Sequence, residues 1–269
     1  MRKLPVFAAL SHAIKSTIDN IGFAFHISWP WMLLLLPLNI ITNIYLGLNV
    51  MHDPFQDPSQ LYTENFGIVI PLTAASIIAY SSIAVNWHRY VLLDEVAEGW
   101  SRLRIDGLMW RYIGNVFLIV MLLAAGIAAA ALAMVLVGLL LNLIMGEASL
   151  FLIVPVSIAL YAYAIVAMYR LMVKLPGVAL GRRDFGMRDA WRVTTGNSWQ
   201  ILGLLLLFIV CLLVLGLALL LVTYLLGLAG TAGLSVSIAV QVMINWVTTI
   251  LGVTLLTSLY GFFEEGRDF

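Results

Sequence analysis

The sequence predicts an all-α, polytopic membrane bundle of six transmembrane helices with interfacial helices on one face, and three observations predict it. Hydrophobic residues make up 62% of the chain and charged residues only 10%, with a mean hydropathy of +1.03. Soluble domains carry about 25% charged residues, so this surface must meet lipid rather than water. The apolar residues also gather into six runs, each of about 20 residues or more, the length a hydrocarbon core requires. Finally, all fourteen Lys and Arg residues fall on one side of the alternating connectors.

Taken in order, residues 4–21 place Phe7, Ile14, Ile18 and Ile21 at helical spacing, opposite Ser11, His12, Lys15 and Asp19. This predicts a helix lying on the membrane by its large apolar residues, or an extension of the first span. Arg2 and Lys3 before LPVFAAL imitate a signal peptide. Ser11, His12, Lys15 and Asp19 interrupt the apolar run, however, and no cleavable signal is expected. The first span covers 25–51, with Trp29 and Trp31 as interfacial anchors and Pro37 as an expected bend. Residues 52–65 form a polar loop with two Asp-Pro steps.

The second span covers 66–93 and ends in Ser81, Ser82, Asn86, Trp87, His88 and Arg89. After a connector over 94–111, the third span runs over 112–145. Its AAGIAAAALAM section (124–134) carries the Gly126/Ala130 pair that lets another helix approach, so this span is expected to be the most buried of the bundle. GEAS (146–149) turns into the fourth span, 150–173. A basic connector, 174–198, leads to the Leu-rich fifth span, 199–228, and a Gly-rich turn to the sixth, 236–263. The tail 264–269 is expected to fray. Cys211 lies within an apolar run and reads as a small hydrophobe.

Basic residues resist translocation and stay in the cytoplasm. One side takes Arg2, Lys3 and Lys15, then Arg89 with Arg102, Arg104 and Arg111. It also takes Arg170 with Lys174, Arg182, Arg183, Arg188 and Arg192, and lastly Arg267. The other side has Asp53, Asp57, Glu64 and Glu147 and no base. The expected location is a bacterial inner membrane, with both termini cytoplasmic and a single domain over 1–269.

An internal repeat is visible. Arg89 and Arg170 each end an inward-going span, and each is followed by a Trp-Arg pair (Trp110-Arg111 and Trp191-Arg192) and a Gly-Asn pair (Gly114-Asn115 and Gly196-Asn197). Ala13, Lys15, Thr17 and Asn20 fall on the same template as Ala190, Arg192, Thr194 and Asn197. Three units over 4–93, 94–173 and 174–263 would give quasi-threefold packing. The run Arg170, Leu175-Pro176, Ala190-Trp191, Thr194 and Gly196-Asn197 resembles bacterial integral-membrane proteins of the glycerophosphodiester-phosphodiesterase membrane-domain type. Some members of that family carry a soluble phosphodiesterase barrel. Here the spans take up the chain, so the resemblance implies a stand-alone membrane module without the hydrolase.

HExxH, GxSxG, P-loop and CxxC patterns are missing from the sequence, and the four histidines (His12, His26, His52, His88) lack metal-ligand spacing. No catalytic residue, metal, cofactor or nucleic-acid partner is expected. Guanidinium forks hold phosphate bidentately, and anionic inner-leaflet lipids attract juxtamembrane bases. Arg89, Arg111, Arg170 and Arg192, with Trp110 and Trp191, are therefore candidates to hold anionic lipid head groups, or to clamp the surface helices. The expected role is a non-enzymatic membrane protein that binds lipid or a membrane-protein partner. A second reading is a small transporter or lipid translocator. Among the polar span residues Asn39, Asn43, Ser76, Ser157, Gln241 and Asn245, its path would use Gln241 and Asn245 with Thr248. A third is an intramembrane enzyme, which would need His88 or His12 set against a carboxylate.

Overall fold

Helices form wherever the apolar runs leave the backbone no water to bond to, because only internal i→i−4 bonds satisfy it there. The computed structural model describes residues 2–52 and 66–269, and their side chains except at 39–52, 231, 232 and 234. The loop over 53–65 and the side chains of Asn39 and Asn43 lie outside the described residues. The elements are α1 (Val6–Asp19), α2 (Ile21–His52), α3 (Phe66–Leu93), α4 (Gly107–Met145) and α5 (Leu150–Met172). After them come α6 (Lys174–Ala179), α7 (Met187–Val193), α8 (Ser198–Gly227) and α9 (Gly230–Phe263). No strand occurs among the described residues.

The long helices coincide with the apolar runs. Segments that contain a run long and apolar enough to cross a membrane cover Ile21–Leu38, Phe66–Leu93, Gly99–Ala179, Ser198–Gly227 and Ser235–Phe263. The third segment holds the two long helices α4 and α5, joined by a 3-10 turn at Gly146–Ser149, and ends with the short α6. Several helices are thus long and apolar enough to cross a membrane, the arrangement of a multi-pass membrane protein. With 39 residues, α4 is about 58 Å long. A hydrocarbon core of about 30 Å cannot cover all of it.

α2, α3, α4, α5, α8 and α9 touch in that cyclic order, and α3 also meets α9 across the ring. α3 is the axis. Its eight consecutive residues Ser81 to His88 are all buried, so every face of that stretch meets protein. The short α6 plugs the bundle from one end, with Leu175, Pro176, Gly177, Val178 and Ala179 all buried. Gly177 permits this, because a Cβ there would lie 3.2 Å from the Phe185 ring and 3.3 Å from Tyr260. Gly181, at φ +81°, then closes α6: the Arg182 N–H donates to the Gly177 carbonyl and the Gly181 N–H to that of Val178.

The packed core lies at one end only. From α4 it takes Tyr112, Val116, Ile119 and Leu123, and from α5 Ile165, Val166 and Tyr169. Beyond these positions both helices face outward, with Leu143, Ile144 and Phe151 more than 80% exposed. The 124–134 section, expected to be the most buried, is among the exposed ones, and nothing approaches within 4 Å of a Cβ placed on Gly126. Small side chains permit close packing but give no force toward it, because lipid is as apolar as the helix surface.

α1 shows the same principle. It is a helix over 6–19, but the face it buries is Ala9, Leu10, Ala13 and Thr17, packed on α8 and α9. Of the residues expected to bind the membrane surface, Phe7, Ile18 and Ile21 point away from the protein, whereas Ile14 packs against the core. The tail, expected to fray, is held instead. Arg267 donates to the Val91 and Leu92 carbonyls, and Arg2 to the Gly266 and Arg267 carbonyls and to Asp268. Arg2 also stacks on Phe262, which stacks on Phe269.

The repeat template meets three different local structures. The chain breaks after α1 at Asn20 and between α7 and α8 at Gly196-Asn197, whereas α4 runs unbroken through Gly114-Asn115. Thr17 and Thr194 both donate back to the carbonyl four residues earlier, of the buried Ala13 and Ala190. Their asparagines differ. Asn20 donates to its own helix and accepts from Tyr90, while Asn197, 1% exposed, bridges to the N-terminal segment. Asn197 accepts from the Leu4 N–H at 2.9 Å and donates to the Arg2 carbonyl at 3.1 Å.

Removing that amide leaves a buried Leu4 N–H without a partner, at about 1–3 kcal/mol. Asn197→Ala should therefore lower the melting temperature in detergent and speed hydrogen exchange at Leu4, with unchanged helical content by circular dichroism. Unchanged exchange at Leu4 would remove Asn197 as the clamp of this segment.

Candidate functional site

The basic segments, distant in sequence, meet at the end where the core is packed. Arg89 reaches the Ala179 carbonyl, Lys3 the Gly196 carbonyl, and Arg182 both Tyr260 and Glu264. What separates these cations is whether the chain itself satisfies them.

Arg170 is satisfied. At 6% exposure its guanidinium donates to the Trp191 carbonyl at 2.7 Å, to Thr194 Oγ1 at 2.9 Å and to Thr195 Oγ1 at 3.2 Å. It also lies 3.8 Å over the Trp191 ring. α5 and α7 pack against each other, and Arg170 ties them with its planar fork. Trp191 therefore serves as a stacking platform for the chain's own arginine.

Arg89 is satisfied by Glu95, at 2.8 Å from Nε and through a second contact from its terminal amine. The left-handed backbone at Asp94, φ +54°, reverses the chain and brings Glu95 back beside the last turn of α3. Arg104 pairs with the same carboxylate and lies 3.7 Å from Asp106. Arg192 pairs with Asp189, three residues before it on α7. Asp106, in turn, caps α4 by accepting from the Leu108 and Met109 N–H groups.

Among the half-buried cations, Arg102, Arg111 and Lys174 form no ion pair or side-chain hydrogen bond among the described residues. Of these, Arg111 and Lys174 are neighbours. Arg111 stands in the first turns of α4, Lys174 opens α6, and these two helices are packed together. Burial, and after it the positive charge of Arg111, hold the Lys174 ammonium below its usual value. Two neighbouring cations without a counter-charge are what an anion requires. Trp110, 53% exposed, stands next to them. The sequence reading selected Arg111 and Trp110 but passed over Lys174, whose only signal was its place at the end of an apolar run.

The other polar groups are arranged differently. Gln241 and Asn245 are exposed on the outside of α9, and Thr248 donates to the Asn245 carbonyl. A small cavity of about 50 Å³ at this level is lined by Trp31, Val242 and Trp246 instead. His88, fully buried, lies 2.8 Å from Thr257 Oγ1 and 3.3 Å from the Tyr112 hydroxyl. Thr257 already donates to the Val253 carbonyl, so Nδ1 carries the proton toward Thr257 and Nε2 accepts from Tyr112. His12 lies 3.1 Å from Ser258 Oγ in a cavity of about 160 Å³ that Asp268 also lines. That carboxylate is engaged by Arg2. Among the described residues, no group of three or more His, Cys, Asp or Glu could hold a metal ion.

No protein-family model matches the chain, and comparison with curated proteins and with solved structures finds no match.

Arg170→Ala removes the fork that ties α7 to α5, while Arg170→Lys offers one point donor where a fork is needed. Hydrogen bonds to charged groups are worth about 1.5–3 kcal/mol. Both variants should melt earlier in detergent and be cut faster by trypsin around Arg182 to Arg188. Glu95 gives a pH signature. Its hydrogen bond from Arg89, then that from Arg104, holds its carboxyl below the usual value against the opposing effect of burial. Its stabilisation is complete above the usual carboxylate pKa and is lost as pH falls through the lowered one. Wild-type melting should fall across that acid window, while Glu95→Gln, weaker at neutral pH, should change less there.

Proposed function

We propose that this is a six-span membrane protein, its basic end in the cytoplasm of a bacterial inner membrane, that holds anionic phosphate head groups at Arg111 and Lys174. The observation that carries the reading is that pair of neighbouring, half-buried cations with no protein counter-charge. Three of the four arginines singled out by sequence are committed to the chain: Arg89 to Glu95, Arg170 to α7 and Arg192 to Asp189. The collection of the basic segments at one end supports the orientation, since basic residues stay on the cytoplasmic side. The short α6 and α7, with the helix break at Gly196-Asn197, support a membrane module of the kind the 170–197 motif resembles. The role is one of binding rather than catalysis. An enzyme would have to work in the His12 cavity, where Ser258 is bound to His12 and Asp268 to Arg2.

Each base near an anionic membrane surface is worth about 1 kcal/mol, so losing both should weaken head-group retention roughly 30-fold. Protein purified in mild detergent should carry phosphatidylglycerol or cardiolipin that disappears in Arg111→Ala/Lys174→Ala. Arg89→Ala and Arg170→Ala, where they fold, should keep it. Equal anionic lipid in wild type and the double variant would sink the proposal.

A further inference from the structure

A groove of about 670 Å³ lies at the opposite end from the basic segments, between the outward halves of α4 and α5, where neither helix belongs to the packed core. Its walls are apolar along most of their length, with Ile127, Ala131 and Ile153 on the floor and sides. Its polar lining is densest toward the hairpin turn, at Asn142, Glu147 and Ser149, and Tyr161 adds one hydroxyl farther along. Ser157, farther along, is turned to the Ile153 carbonyl. The groove is therefore graded from polar to apolar along the helix axes. A lipid standing in a bilayer leaflet is graded in the same way.

The charge narrows the occupant. Glu147 is the one charged residue among the described residues at this end, and no base of the chain lies there to neutralise it. An anionic head group would be repelled by it, and an ammonium would be drawn to it. A second copy of this chain standing parallel in the same membrane would bring no cation to this level, because all fourteen of its own lie at the other end.

We infer that the α4–α5 groove holds one phospholipid of the non-cytoplasmic leaflet with an amine-bearing head group, its ammonium against Glu147 and an acyl chain along the groove toward Ile127. The inference rests on the membrane-spanning reading above but not on the anion site at Arg111 and Lys174. That pair faces the other leaflet and takes the opposite head-group charge.

Native mass spectrometry of the whole protein, titrated with phosphatidylethanolamine or phosphatidylglycerol, separates the two sites. Glu147 is exposed, so Glu147→Gln leaves the packed core untouched. It should cut phosphatidylethanolamine retention about fivefold, the size of an exposed ion pair, and leave phosphatidylglycerol unchanged. Ala131→Phe fills the groove and should cut phosphatidylethanolamine retention while Glu147 is intact. Arg111→Ala/Lys174→Ala should do the reverse of Glu147→Gln. Three outcomes overturn the inference: undiminished phosphatidylethanolamine in Glu147→Gln, equal loss of both lipids, or an Ala131→Phe protein that changes its oligomeric state without changing its lipid.

Discussion

A guanidinium withdrawn from water has to be answered by something. At Arg170 the chain answers it almost completely, with the Trp191 carbonyl, two threonine hydroxyls and the face of the Trp191 ring. That clamp fixes α7 to the end of α5 and so sets where α8 enters. The neighbouring α6 fills the basic end of the bundle, and Gly177 is the residue that lets it in. In lipid, burying leucine gains little over leaving it among acyl chains. Directional polar contacts therefore decide which surfaces meet.

This explains why the two ends of the molecule differ. The basic end carries the polar residues that can bond across helices, such as Asn86 to the carbonyls of residues 101 and 102, Thr17 to Thr254 and His88 to Thr257. It is tightly packed and closed by its own tail. Toward the other end α4, α5 and α8 present leucine, valine and alanine outward. Grooves result there, and lipid is the solvent available to fill them.

The lipid sites proposed at the two ends follow from one rule applied to opposite charges. Wherever the chain supplies both members of a pair, as in Arg89 with Glu95 or Arg182 with Glu264, the interaction is internal and holds the fold. Where it supplies one member, as at Arg111 with Lys174 or at Glu147, the partner must come from the surroundings. In a membrane protein the surroundings include charged head groups at two fixed depths.

Composition and run length determined by themselves that this chain is helical, with several helices long and apolar enough to cross a membrane, and where those long helices lie. Those properties are set by local chemistry, the bonding of the backbone in hydrocarbon. Tertiary structure alone decided which helix is central, since Ser81 to His88 are no more apolar than the exposed 124–134 run. It also decided that the tail docks, that α1 buries alanine rather than phenylalanine, and that Lys174 belongs beside Arg111. Those outcomes depend on which polar groups find partners across great sequence distances, as Arg2 does with Asp268 and Asn197 with Leu4. A periodicity read along one helix carries no record of the groups that another helix brings to it.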